Sequence, residues 1–155
     1  QLTGYAPGGI NYYPMKTLKK ITKITKSFYP EWNDELYRKY MTAFKLDENK
    51  KPKELSEGMK VKYNLVLALS HGAKLLILDE PSLGLAPNIV DDILEIAVHL
   101  AREKNIGILL VEQDITKALA VSDYGYVIEN GHVVLEQTAE ELEKNEHVKK
   151  AYLGI

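Results

Sequence analysis

The sequence has no cysteine, one tryptophan, two phenylalanines and no long hydrophobic run. The lack of cysteine excludes disulfides, thiolate nucleophiles and cysteine-built metal sites. The longest apolar runs are far shorter than the roughly 20 residues needed to cross a bilayer, so no direct membrane span is predicted. A net charge of -2 gives no overall basic field, so nucleic acid is not predicted as a partner.

No Gly-x-x-x-x-Gly-Lys-Ser/Thr pattern, the loop that cradles nucleotide phosphates, occurs in the 155 residues. The nearest lysine-bearing fragment, Gly72-Ala73-Lys74, lacks the rest of that loop and its hydroxyl. The sequence also begins with Gln1 and not with Met. We therefore expect it to start inside a longer polypeptide or to derive from an engineered one.

What the sequence does contain is an apolar run, Leu75 to Leu78, that leads directly into Asp79, Glu80 and Pro81. Such a run predicts a strand buried on both faces, and the carboxyl end of such a strand is where α/β sheets bind ligands. One acid there would fit a turn or a helix cap. Two adjacent acids favour a functional site.

Two further segments flank these acids. Residues 53–60 read KELSEGMK, and residues 82–87 read SLGLAP. In order and spacing, the three segments resemble the signature motif, Walker B motif and D-loop of ATP-binding cassette (ABC) ATPases. The resemblance covers nearly the whole chain and implies an α/β fold, a partial P-loop NTPase core with a mostly parallel sheet and a helical subdomain.

The resemblance divides the chain into three parts. Residues 1–13 would hold a residual strand and a region like the family's Q-loop, 14–72 the helical subdomain with the signature motif, and 73–155 the C-terminal part of the core. Strands are predicted near 1–6, 74–79 and 107–111 in a parallel sheet, with a hairpin at 125–136 around Asn130-Gly131. Helical periodicity and capping residues predict helices at 15–28, 34–44, 57–70, 87–105 and 114–121, and from Thr138 and Asn145 onward.

The resemblance also assigns roles around the acids. Asp79 would hold Mg²⁺ through water, because this hard cation keeps several waters and takes few carboxylates. Glu80 would be the general base or water-orienting group for attack on the γ-phosphate. Gln113 stands at the place of the family's switch histidine and would lie near the γ-phosphate.

The flanking motifs carry further assignments. Ser56, Glu57 and Gly58 would bind a nucleotide held by an opposite ATPase subunit, since a helix start favours an anion. An N-terminal cap is the ordinary alternative for Ser56. Glu57 departs from the family's usual motif and would weaken the site, with Lys60 and Lys62 offsetting part of its charge. Gly84, Leu85 and Ala86 would form the D-loop, and His71 would be a structural residue whose charge suits the end of a helix.

Two branches of the family are represented. Residues 1–82 resemble exporter ATPases of the antibiotic-resistance and bacitracin type, and residues 83–155 resemble ATPases of branched-chain amino-acid importers. A natural recombinant, a designed chimera or a divergent orphan would each produce this division. Of these we expect a chimera, or else a fragment, with a join near Pro81 to Leu85.

The function implied is the ATP-binding and ATP-hydrolysing subunit of an ABC transporter, or a fragment of one, which couples ATP hydrolysis to solute transport. The chain alone is expected to be inactive, because the phosphate-cradling loop is missing from these residues. ATP and Mg²⁺ are the expected cofactors, held only weakly by this chain alone. The implied partners are a second ATPase subunit and a membrane transport subunit, which would place the chain in the cytoplasm at the inner face of the membrane. The alternative is a non-catalytic chimera or scaffold that retains the fold.

Overall fold

The computed structural model describes residues 3–7 and 13–153 and has the predicted α/β fold. It divides into two compact units, residues 1–111 and residues 112–155. Within the described residues, no helix combines the length and the apolar character needed to span a membrane. The three-part division expected from the sequence stays a prediction.

A three-stranded parallel sheet forms the centre of the first unit. Its strands are β1 (Thr3–Pro7), β2 (Leu75–Asp79) and β3 (Gly107–Val111), in the order β1-β2-β3. The predicted parallel pairing is therefore confirmed. In this register Pro7, Asp79 and Val111 are paired, so the carboxyl ends of all three strands meet at one edge.

The two faces of this sheet differ. Ala6, Leu76 and Leu78 are fully buried on one face. On the other face Leu75, Leu109 and Val111 are exposed. The prediction that β2 is buried on both faces is thus wrong, because the apolar cluster that the helices form with the sheet lies on the Leu76 and Leu78 side.

The described part of the first unit also contains the helices α1 (Leu18–Lys26), α2 (Asp34–Ala43), α3 (Glu57–Ser70) and α4 (Pro87–Lys104), with a 3-10 turn at Pro52–Glu54. Their starts follow ordinary capping chemistry, with Thr17, Asn33 and Ser56 side chains accepting backbone N–H groups and Pro87 in the first helical position. The first helix is shorter than the predicted 15–28, and Phe28, the last residue of the predicted range, lies beyond the helix and is exposed. The helix ends at Lys26 and the chain turns before Phe28.

Helix α3 is apolar nearly all round because it packs on both sides. One side joins α1 and α2 in a cluster that includes Tyr63, Val66, Leu67, Leu18 and Ile21. The other side joins the sheet and α4 in a cluster that includes Leu65, Ala68, Leu69, Leu76 and Leu100. A helix buried on opposite sides loses its amphipathic pattern, and α3 thereby fixes the helices around it to the sheet.

The second unit is built on an antiparallel hairpin. After α5 (Ile115–Val121), strands β4 (Tyr124–Glu129) and β5 (His132–Thr138) pair around Asn130-Gly131. Both turn residues have positive φ, 49° and 78°, as a tight hairpin turn requires. The hairpin prediction is confirmed.

The chain then continues through α6 (Ala139–Lys144) and α7 (Glu146–Val148) to a π-helical segment, Lys149–Leu153. Thr138 and Glu141 form the predicted capping box, and Asn145 caps α7. The regular α-helix ends at Val148, where the hydrogen bonding changes to the π pattern of Lys149–Leu153.

His71 caps the C-terminal end of α3 as a buried ring. It is 5% exposed and stacks on Tyr29 with ring centroids 4.2 Å apart. Burial lowers the pKa of its imidazole below the ordinary value of 6.5, and Nδ1 has no hydrogen-bond partner among the described residues. Packing therefore accounts for His71 better than a favourable charge at the helix end.

We expect the free energy of unfolding to fall as the pH drops below 6.5. The unfolded chain takes up the His71 proton more readily than the folded protein, so acid favours unfolding, by at most about 1.4 kcal/mol per pH unit for one group. Replacing His71 by Phe keeps an aromatic stack and should flatten this pH dependence. Urea unfolding followed by Trp32 fluorescence at about pH 7.5 and about pH 5.5 measures it.

The exposed His99 provides the control, since His99→Gln should keep the wild-type pH dependence. An undiminished loss of stability in His71→Phe would show that other groups cause it.

Candidate functional site

Asp79 ends the central strand of the parallel sheet, on the exposed face. The Tyr5 hydroxyl on the neighbouring strand donates a hydrogen bond to Oδ2 of Asp79 at 2.8 Å. This bond raises the pKa of the Tyr5 hydroxyl above its ordinary value. The Asp79 carboxylate is half-buried and is held in place at the edge where the strands end.

Glu80 follows in an unusual backbone conformation, with φ of 45°. Its N–H donates to the Val111 carbonyl at 2.9 Å, which ties the residue to the end of β3. A non-glycine residue with positive φ costs of order 1 kcal/mol or more, and such strain is concentrated at functional positions. The half-buried Glu80 is thus fixed beside Asp79 at the edge of the sheet.

These acids suit a metal that keeps its own water. Among the described residues no group of three or more His, Asp or Glu side chains is arranged to hold a metal directly. Mg²⁺ is commonly bound through one or two carboxylates, with water and phosphate oxygens as its other ligands. A single carboxylate with one oxygen held by Tyr5 fits that mode of binding.

The residues predicted to form the D-loop, Gly84 to Ala86, follow the acids through consecutive turns. Leu83 N–H donates to the Glu80 carbonyl and Leu85 N–H to the Ser82 carbonyl, at 3.0 and 3.1 Å. Gly84 has φ of 72° with open space around it, so glycine is favoured there by conformation. Ala86 is the N-terminal cap residue of α4.

The predicted signature residues, Ser56 to Gly58, lie at the start of α3. The Ser56 hydroxyl accepts the Met59 N–H at 3.3 Å, so it acts as the N-terminal cap. Glu57 forms an ion pair with Lys60, with Nζ and Oε1 2.5 Å apart. Lys62 forms its ion pair with Asp92 on α4. Lys60 and Lys62 were both expected to offset the charge of Glu57. Of the two, Lys60 forms an ion pair with it.

Gly58 is buried against the start of α4. A Cβ at position 58 would lie 2.4 Å from Cγ2 of Ile89, closer than nonbonded carbon atoms approach. The resemblance assigned this glycine to nucleotide binding, and the sequence gave no indication of its close approach to Ile89. Packing of α3 on α4 thus gives Gly58 a structural reason of its own.

We expect Gly58→Ala to destabilise the first unit by about 1–3 kcal/mol, the usual cost of overpacking. Ile89→Ala in the same chain removes the clashing carbon, so the double variant should be more stable than the sum of the two single effects by about 1 kcal/mol. Urea unfolding of the four proteins measures this coupling. Additive effects, or a Gly58→Ala protein as stable as wild type, would leave phosphate approach as the remaining reason for the glycine.

The signature residues lie beyond the edge where the strands end. The Asn64 side chain donates to the Pro7 carbonyl at 3.0 Å, so α3 is level with that edge at Asn64. Ser56 lies eight residues earlier, which corresponds to about 12 Å along the helix axis. The signature segment is therefore offset along the axis of α3 from the edge that carries the Asp79 carboxylate.

Gln113 belongs to the second unit. It is exposed and comes directly before Asp114, whose side chain caps α5 by accepting the Lys117 N–H at 3.2 Å. Its predicted place near a γ-phosphate stays a prediction.

Comparison of the sequence with known proteins identifies a matching family model and several relatives. Residues 16–111 match a family model described as "AAA domain, putative AbiEii toxin, Type IV TA system". The chain is 49% identical over 87 residues to the branched-chain amino acid transport ATP-binding protein BraG of Pseudomonas aeruginosa, covering 56% of this chain and 37% of BraG. It is 28% identical over 159 residues to the lipopolysaccharide export system ATP-binding protein LptB of Escherichia coli K12, covering 94% of this chain and 66% of LptB.

A solved structure of the ATP-binding subunit of an ABC transporter agrees with the fold. It superimposes with a TM-score of 0.77 at 26% identity, covering 99% of this chain and 65% of that one. The chain thus spans less than two thirds of the length of each of these three proteins.

Proposed function

The chain belongs to the AAA-domain family and to the ATP-binding proteins of ABC transporters, and from this we propose that it supplies the acidic part of an ATP-hydrolysing site. The observation that carries the proposal is the placement of Asp79 and the strained Glu80 at the carboxyl end of the central parallel strand. Ligand chemistry in open α/β sheets takes place at that edge.

Each acid has a separate role in this proposal. Asp79 holds the water shell of Mg²⁺, which when bound offsets charge on the phosphate oxygens. Glu80 accepts a proton from, or orients, the water that attacks the γ-phosphate. Gln113 donates its side-chain amide to the γ-phosphate.

The signature segment acts on a nucleotide held by a second ATPase subunit. The position of Ser56 supports this, since it lies about 12 Å along α3 beyond the level of the strand ends, outside the edge that carries Asp79. Ser56 and Gly58 supply N–H groups at the helix start. The pairing with Lys60 reduces the repulsion of Glu57 toward phosphate. Gly84, Leu85 and Ala86 act as the D-loop beside this contact.

A P-loop-bearing segment outside these 155 residues completes the site. The exposed Leu75, Leu109 and Val111 support this, because parallel sheets are ordinarily covered on both faces. Through a membrane transport subunit, the completed ATPase couples hydrolysis to solute movement at the cytoplasmic face of a membrane. The BraG and LptB relatives support a transport role in general terms.

Steady-state phosphate release from Mg-ATP tests the proposal. The chain is assayed alone, with a P-loop-bearing ATPase segment, and with the same segment carrying a P-loop lysine substitution. We expect phosphate release only when the segment with the intact P-loop is present. The same low rate in all three would favour the alternative, a non-catalytic chimera or scaffold that keeps the fold.

A further inference from the structure

Tyr5 is the polar partner of Asp79 that the sequence did not identify. Its hydroxyl donates to Oδ2 of Asp79 at 2.8 Å, across the β1–β2 pair. In the parallel register Tyr5 pairs with Ile77, so Asp79 is the diagonal neighbour on the same face. Tyr5 can therefore reach the carboxylate only because the two strands have this register.

Packing does not explain why a tyrosine occupies position 5. Its side chain is 57% exposed, whereas the buried residue of β1 beside it, Ala6, faces the apolar cluster under the sheet. The contact of Tyr5 that bears on function is the hydrogen bond from its hydroxyl to Asp79. A phenylalanine would keep the same exposed ring and lose that bond.

We propose that Tyr5 is a positioning residue for metal binding, whose bond to Oδ2 restrains the Asp79 carboxylate in the orientation in which it would bind a hydrated divalent metal. A carboxylate attached to β2 alone can rotate about its side-chain bonds, and a bound metal would have to stop that rotation. The bond from the neighbouring strand restrains the carboxylate beforehand. Groups that orient a metal-binding carboxylate typically change metal affinity 10- to 100-fold when removed.

The inference rests on the proposed metal role of Asp79 and goes one residue beyond it. It concerns the carboxylate and divalent metal alone, so it can be measured on the 155-residue chain without nucleotide.

The experiment is a titration with Mn²⁺, whose unpaired electrons broaden nearby backbone amide signals in NMR spectra. Wild type, Tyr5→Phe and Asp79→Asn are compared at the signals of Leu78 and Asp79 or its replacement. We expect the Mn²⁺ concentration for half-maximal broadening to rise about tenfold in Tyr5→Phe. Broadening at these signals should be absent in Asp79→Asn.

The matched control is Tyr126→Phe, since Tyr126 is 59% exposed on a strand of the second unit. It should titrate as wild type does, and urea midpoints should be the same for both phenylalanine variants. A half-maximal concentration that is unchanged or lower in Tyr5→Phe overturns the inference while leaving the metal role of Asp79 intact. Wild-type broadening that is absent, or unaltered by Asp79→Asn, overturns that metal role and the inference with it.

Discussion

Replacing Glu80 by Gln is expected to lower ATP hydrolysis at least about 100-fold in the mixture with a P-loop-bearing segment. A positioned general base contributes roughly 10²- to 10⁴-fold to such reactions, and an amide cannot accept the proton. Gln has nearly the shape of Glu, and the backbone bond from residue 80 to the Val111 carbonyl does not depend on the side chain. The fold and nucleotide binding should therefore persist.

Phosphate release under saturating Mg-ATP measures this effect, and urea unfolding verifies the fold. Glu95→Gln is the matched control, because Glu95 is an exposed acid on α4 away from the strand ends. It should hydrolyse ATP at the wild-type rate. Near wild-type turnover by Glu80→Gln would remove Glu80 from the mechanism.

The second large effect concerns the isolated chain, which we expect to bind Mg-ATP too weakly to detect at micromolar concentrations. A P-loop supplies several charge-assisted hydrogen bonds worth about 1.5–3 kcal/mol each. The absence of three or four of them removes on the order of 6 kcal/mol, or roughly four decades of affinity. The predicted site residues do not replace these donors. Asp79 and Glu80 are carboxylates, which accept hydrogen bonds and do not donate them, and Gln113 of the second unit has one side-chain amide.

Isothermal calorimetry with Mg-ATP provides the measurement, and the same titration with the P-loop-bearing segment present provides the comparison. Micromolar binding by the 155-residue chain alone would mean that its own residues form a phosphate site.

Local chemistry made much of the fold predictable. The Ser56 and Asn33 caps, the Thr138 and Glu141 capping box and the Asn130-Gly131 turn each depend on neighbouring residues. The apolar run before Asp79 predicted the central strand for the same reason. These features needed no knowledge of distant contacts.

What the sequence did not predict depends on contacts between distant segments. The Tyr5 bond to Asp79 joins residues 74 positions apart and requires a particular strand register. The close approach of Gly58 to Ile89 depends on how α3 packs against α4. The exposed face of the sheet was missed because an apolar run looks the same whether one face or both are covered.

The division into exporter-like and importer-like halves stays a prediction. LptB aligns with 94% of the chain at 28% identity, whereas the 49% identity to BraG extends over 56% of it. Uneven similarity of this kind is compatible with a join near Pro81 to Leu85 and also with uneven divergence of one gene.

The most direct test of the central idea is γ-phosphate release by a single polypeptide in which a P-loop-bearing segment is joined ahead of Gln1. Covalent linkage removes any dependence on how tightly two separate pieces associate. We predict Mg²⁺-dependent release that both Asp79→Asn and Glu80→Gln reduce by at least about 100-fold. A folded fusion that binds ATP yet releases phosphate at a rate indifferent to both substitutions would contradict the account.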